Sequence, residues 1–414
     1  MNFLFVHQNM PGQYRELVQW LAQAGGHRIY FLTQRQNAPK LPGVETRVYR
    51  PHHRPHDKAY GLSRVWEEAS GNGFGAVNAA RQIETQEGFR PDIIIGHVGW
   101  GELSFFKELW PDVPIIGYFE YYYNMTGGMV GFDPAEKISA HAPYLNHARN
   151  IVPLANIETV DMGHCPTHWQ RDRFPESFHR KLYVCHDGIR TDQLLPDPDV
   201  SLRLGRLAGP VTREDEIITY VARNLEKTRG FHTMMRALPR ILAARPHARV
   251  VIVGGNEVSY GTQSDHPGGL RGEMAAELQG KVDWERVHFV GKVPYPDFKK
   301  LVQISRCHIY LTMPFVLSWS LLEAMSMQAT IVASDVAPVR EAVSHGKTGL
   351  LVDFFDPDAL AAQVVEVLAN PQDHAHLGPA ARAHVIENYD FLTRCLPEHL
   401  ARINALVPDS KRIS

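Results

Sequence analysis

Cysteine is scarce: Cys165, Cys185, Cys307 and Cys395 are the only four in 414 residues, and no two stand in a CxxC pair. That argues against a disulfide framework and suits thiols kept reduced in a cytoplasm. No apolar stretch approaches the ~20 residues that span a bilayer. The opening residues lack a basic region and lose their apolar character at His7, so they read as a first buried strand and not as a signal peptide. Neither sign of charge is in excess, with 43 Lys and Arg against 45 Asp and Glu and a net charge of -2. A chain without a basic field has little to attract nucleic acid, which is not an expected partner. No repeat of fixed period, low-complexity tract, His-Glu-x-x-His or Gly-x-Ser-x-Gly occurs. Gly346-Lys-Thr348 ends like a phosphate-binding P-loop, but Glu341 stands where that motif needs its first glycine. Neither His164, Cys165 and His168 nor His52, His53 and His56 show the paired spacing of a structural zinc site, and no metal is expected.

What is present is globular composition, 44% hydrophobic and 21% charged, in a length that suits two domains of roughly 200 residues each. Short apolar runs alternate with amphipathic stretches, the pattern of parallel sheets with crossover helices, so the expected class is α/β with two Rossmann-like doubly wound domains. Strands are predicted at 3–6, 29–32, 93–95, 115–119 and 182–185, then at 217–221, 250–253, 287–290, 309–311 and 331–333. Helices are predicted at 231–244, 298–305, 318–327 and 358–368. Two prolines at 194–200 mark the expected linker, dividing the chain into domains 1–195 and 196–390. Ligands of such sheets bind beyond the carboxyl ends of the strands, and two such domains are expected to face one another across a cleft.

The candidate site residues do follow strands. Residues 311–335 read as strand, turn, helix and strand. There Ser318 can cap the helix, and the backbone N–H groups of Trp319, Ser320 and Leu321 would face an anion such as a diphosphate. Glu323, one turn on, could accept a pair of hydrogen bonds from a ribose diol, or could simply be a half-exposed helix glutamate. Arg223, Lys227 and Arg229 lie just after the first strand of the second half. Cations fixed there suit a diphosphate leaving group that gains charge as its bond breaks, though such a loop is often merely solvated. In the first half Gly12, in the loop 7–13, would let backbone approach a phosphate or sugar closely. His97 and Glu120 follow two neighbouring strands, and Phe119, Tyr121, Tyr122 and Tyr123 could stack on an acceptor or pack a wall.

The stretch Leu322-Glu-Ala-Met325, with Val332-Ala-Ser-Asp335, Pro338-Val-Arg-Glu341 and Gly346-Lys-Thr-Gly-Leu-Leu-Val352, resembles the donor domain of the family 4 glycosyltransferases. These are retaining enzymes of the GT-B fold with a Glu-x7-Glu element. The resemblance implies that Glu323 holds the donor ribose. It also implies that Arg223 and Arg229, beside Gly230, clamp the diphosphate as catalytic groups. Gly12 would complete the donor site across the cleft, and Gly255, Lys292 and Val293 would form the base wall. Two positions depart from the pattern: Phe315 stands where the first glutamate is expected, and Glu120 where a histidine points toward the reacting sugar, so His97 could supply an imidazole instead. The last segment, 391–414, would cross back onto the first, acceptor-binding domain. The implied reaction moves a sugar from a UDP- or GDP-linked donor, without a metal, onto a sugar, lipid-linked or small-molecule acceptor in polysaccharide or glycoconjugate assembly. It would take place in the cytoplasm and leaves peripheral contact with the inner face of a membrane open. A sugar-nucleotide epimerase and a non-catalytic nucleotide-sugar-binding subunit remain alternatives. The donor sugar, base, acceptor and oligomeric state are not legible.

Overall fold

The computed structural model describes residues 1–203 and 209–413. By its contacts the chain divides into two compact units, Met1–Gly188 with Phe391–Ser414, and Ile189–Asp390.

The first unit is built on seven strands, β1 (Asn2–Val6), β2 (Arg28–Thr33), β3 (Val44–Val48), β4 (Ile93–His97), β5 (Ile115–Tyr118), β6 (Met162–Cys165) and β7 (Leu182–Val184). Their order is β3-β2-β1-β4-β5-β6-β7, with every neighbouring pair parallel. In β1, Phe3 and Phe5 pack on one face with Ile29, Phe31 and Ile95, while Leu4 and Val6 pack on the other with Tyr30, Leu32 and Ile94. A strand covered on both faces needs an unbroken apolar run, which is why these strands announce themselves in the sequence. β3 does not, because it is a part-exposed edge with the sequence Val-Glu-Thr-Arg-Val.

The 27-residue helix Gly61–Glu87 is also absent from the expected elements. Its glycines lower helix propensity, yet a Cβ on Gly71 or Gly75 would collide with the carbonyl oxygens of His53 and Arg50. The loop after β3 therefore lies directly on the helix backbone, and packing overrides propensity there. Phe391, Leu396, Ile403 and Val407 of the last segment complete the core on the Phe3 face.

The second unit carries β8 (Ile217–Asn224), β9 (Arg249–Gly255), β10 (Val287–Gly291), β11 (Cys307–Tyr310), β12 (Ile331–Ser334) and β13 (Leu350–Val352). The order β10-β9-β8-β11-β12-β13 is again all parallel. Helices run over Phe231–Ala244, Tyr295–Gln303, Trp319–Ser326 and Pro357–Ala369. The Tyr295–Gln303 helix begins ahead of the predicted 298 because Pro296 lies in its first turn, where a missing N–H costs nothing. The stretch 194–200 read as a linker is tied to the second unit: Arg382 Nη1 donates to Leu194 O (2.8 Å) and Gln303 Nε2 to Leu195 O (2.7 Å). In each sheet the strand order reverses once, between β1 and β4 and between β8 and β11, and there the loops at the carboxyl ends part to leave a binding crevice. Among the described residues no helix is long and apolar enough to cross a membrane.

Candidate functional site

In the second unit the reversal point is lined by the loops after β8 and β11. The chain leaves β8 through Lys227–Arg229 into Gly230, whose φ of +64° opens the Phe231–Ala244 helix. A Cβ on Gly230 would drive into the Leu311 side chain, so both the backbone conformation and the space demand glycine. Met313 N donates to Thr228 O (2.9 Å), tying the two loops together. Ser334 Oγ receives the Thr312 N–H (3.0 Å) and donates to Thr312 O (2.9 Å), anchoring the second loop to β12.

These ties fix Arg229. Its Nη1 donates to Thr312 Oγ1 (2.9 Å), its carbonyl accepts from Tyr220 Oη (2.6 Å), and its guanidinium stands 5.9 Å from the Phe315 ring centroid and 5.8 Å from that of Tyr260. The two rings also meet each other at 4.8 Å. Phe315 is therefore a buried wall against the arginine. Tyr260 is held by a residue the sequence did not single out. Glu226, 2% exposed, accepts at Oε2 from the backbone N–H groups of Ser259 (3.2 Å), Tyr260 (3.0 Å) and Gly261 (3.1 Å). Arg223 is exposed and makes no hydrogen bond or ion pair with its side chain among the described residues.

The helix after β11 differs from expectation at its start. Ser318 occupies the N-cap position without a side-chain cap bond, and its Oγ pairs with Ser320 Oγ at 2.9 Å. The Leu321 N–H closes a tight turn onto Ser318 O at 3.2 Å, so it is already taken and does not face an anion. Glu323 accepts at Oε1 from Tyr295 Oη (2.7 Å), a partner that no sequence pattern indicated. Lys292 forms an ion pair with Glu257 (2.8 Å) beside Gly255, and the nearby lysine holds the Glu257 carboxyl below its ordinary range. Val293 packs on the apolar cluster of Val251 and Leu301.

In the first unit the loop after β1 carries Gly12, with φ +54°, whose Cβ would lie 2.8 Å from His7 Nε2. His7 Nδ1 accepts from Asn9 N (2.8 Å), so its Nε2 carries the proton and donates to Gln13 Oε1 (2.8 Å). Gln13 Nε2 then donates to Glu120 Oε1 (3.1 Å). His97 repeats the pattern: Nδ1 accepts from Gly99 N (2.9 Å), and Nε2 lies 3.4 Å from Glu120 Oε2, within ion-pair range but without hydrogen-bond geometry. Its ring stacks on Trp100 with centroids 4.2 Å apart. Burial, with His97 beside it, pushes His7 down to about 3, so this imidazole is neutral. Gln13 is thus the link that joins the Gly12 loop to Glu120, and it carried no sequence signal of its own. Of the aromatic run, Phe119 is core, whereas Tyr121 and Tyr123 meet edge to face at 5.1 Å.

Residues 25–194 match the model of the glycosyl transferase family 4 group, and residues 208–384 that of the glycosyl transferases group 1. The chain belongs to the family 4 glycosyl transferases. It is 27% identical over 236 residues to the GDP-mannose-dependent alpha-(1-6)-phosphatidylinositol monomannoside mannosyltransferase of Mycolicibacterium smegmatis, covering 55% of this chain and 58% of that protein. It is also 27% identical over 300 residues to the D-inositol 3-phosphate glycosyltransferase of Streptomyces scabiei, covering 70% and 61%. The matches thus span somewhat over half the length of these curated relatives. Sucrose-phosphate synthase from Thermosynechococcus elongatus superposes with a TM-score of 0.70 at 18% identity, covering 98% of this chain and 99% of that one. Anabaena HepE in complex with UDP does so with 0.67 at 14%, covering 98% and 100%. The fold of this family member is accordingly GT-B.

Within the glycosyl transferase chain, the structure brings Arg229, Phe315 and Thr312 together through the paired loops, and Glu120, His97 and Gly12 through Gln13 and His7. The metal-like histidines separate: His164 is buried with Nε2 2.6 Å from Cys185 O, while His168 is exposed. Among the described residues no group of three or more His, Cys, Asp or Glu is arranged to hold a metal ion.

Proposed function

We propose that this chain is a retaining glycosyltransferase that moves a sugar from a UDP- or GDP-linked donor to a hydroxyl acceptor, with the donor held by the second unit. The observation that carries the reading is Arg229. A guanidinium placed against two rings and fixed by Thr312 loses little conformational entropy on meeting an anion, and it stands where the strand order reverses. As the bond from the anomeric carbon to the diphosphate breaks, the electron pair goes to the phosphate oxygen, and Arg229 with the exposed Arg223 stabilises that charge. The N–H groups of Trp319 and Ser320 add donors, Glu323 receives the ribose hydroxyls, and Gly255, Lys292 and Val293 line the base. The arginines take the part that a divalent ion plays in other phosphate-handling sites.

On the acceptor side, Glu120, oriented by Gln13 and close to His97, positions the attacking hydroxyl and receives its proton. The hydroxyl attacks from the face the diphosphate leaves, which is what retention requires. The family to which the chain belongs and the names of its relatives, one GDP-mannose-dependent and others acting on inositol 3-phosphate, favour transfer over epimerisation and suggest a lipid-linked or small-molecule acceptor. Calorimetry with UDP, GDP and their sugar conjugates tests the reading. One nucleotide should bind wild type, and Arg229→Ala should weaken it by about tenfold or more, roughly 1.4 kcal/mol. Binding by none of them would overturn it.

A further inference from the structure

A second cavity lies on the opposite, amino-end edge of the second sheet. It has a volume of about 200 Å³ and is lined by residues that include Arg213, Arg306, Gln328, Thr330 and His374. Arg306 and Thr330 immediately precede β11 and β12, and Arg213 lies just ahead of β8. In a parallel sheet these positions share the edge away from Arg229 and Glu323.

The cavity has two features of an anion site. First, two guanidiniums converge with no carboxylate among the lining residues. Burial, and then the neighbouring Arg306, lower the proton affinity of Arg213, against a smaller opposing influence from the exposed Glu214. Arg213 Nη2 donates to Gln328 O (2.7 Å), whereas the Arg306 side chain makes no hydrogen bond or ion pair among the described residues. Second, Nε2 of His374 is buried without a hydrogen-bond partner.

We propose that this cavity binds a small phosphate-bearing anion, inorganic phosphate or a compact phosphomonoester. Arg306 and Arg213 present forked donors that match phosphate oxygens, and the Thr330 hydroxyl and the imidazole of His374 supply two more. The volume falls below the ~300–1,000 Å³ typical of sites for drug-sized ligands, which favours a phosphate with at most a short substituent over a nucleotide.

Inorganic phosphate and glycerol 3-phosphate, each titrated into the full chain against chloride at matched ionic strength, test the assignment by calorimetry and thermal shift. Saturable binding is expected in wild type and in Arg229→Ala alike, with affinity about tenfold or more lower in Arg306→Gln. Because Arg306 has no described partner to lose, that variant should keep the wild-type Tm without ligand; His374→Leu repeats the test should it not fold. Tighter binding of glycerol 3-phosphate would assign the site to an ester, and tighter binding of phosphate to the free ion. Equal binding by wild type and both cavity variants, or no saturable binding of either probe, would overturn the proposal. Loss of phosphate binding in Arg229→Ala, with both cavity variants unaffected, would place the ion at the diphosphate site and overturn it as well. The outcome is independent of whether UDP or GDP binds.

Discussion

Glu102 lies wholly out of water behind the first unit's candidate site, accepting from Tyr49 Oη at 3.0 Å through Oε1 and leaving Oε2 without a hydrogen-bond partner. Burial pushes its carboxyl from the ordinary 4.5 up to about 7. Between those values the folded chain holds a proton that the unfolded chain has released, so this group's contribution is fully present below pH 4.5 and is lost as pH rises through 7. At about 1.4 kcal/mol per pH unit, the shift is worth up to roughly 3 kcal/mol. Glutamine at this position is neutral at every pH. The stability of Glu102→Gln relative to wild type should therefore climb by about 2–3 kcal/mol from pH 4.5 to 7.5, whatever constant penalty its amide brings. Burial moves His7 and His186 down to about 3 and His308 and His399 down to about 4, which makes both proteins lose stability as pH falls below 6.5. That slope has the opposite sign and cancels in the difference. Urea unfolding of the two proteins across this range measures it. A difference that stays flat within about 0.5 kcal/mol would refute the burial argument.

Three variants in the second unit give further outcomes. Glu226→Ala strands the N–H groups of Ser259, Tyr260 and Gly261 in a part-exposed loop; urea unfolding should show a loss of about 2–3 kcal/mol. Nucleotide affinity should fall several-fold in the same variant, because Tyr260 no longer backs Arg229. Gly230→Ala combines a left-handed φ with a collision at Leu311 and should cost about 2–4 kcal/mol by the same measurement. In Glu323→Ala, calorimetry should find that the preference for a ribonucleoside diphosphate over its 2′-deoxy counterpart, about tenfold in wild type, has disappeared.

Much of this protein was determined by its sequence alone, and the reason is local. Ile94, Ile116, Val251 and Ile309 sit in strands buried on both faces, so the code for two doubly wound sheets is an apolar run that needs no knowledge of the partner strand. Gly230 is similar, since a strand-to-helix turn with positive φ demands glycine whatever packs around it. Tertiary structure alone decided the rest. The Gly61–Glu87 helix packs its glycines against the loop that leads into it, and β3 forms because an edge can tolerate charge. Glu226, Tyr260, Tyr295 and Gln13 are ordinary residues in sequence; contacts with partners that lie far along the chain or are ordinary themselves bring them to the candidate site. Ser318 and Leu321 show the converse: a helix start legible in sequence left open which N–H groups remain free, because a turn of a single residue's geometry redirects them. Periodicity and turn chemistry act over a few residues, whereas a hydrogen bond or a ring contact requires two segments to arrive at one place, and only the folded chain brings them there.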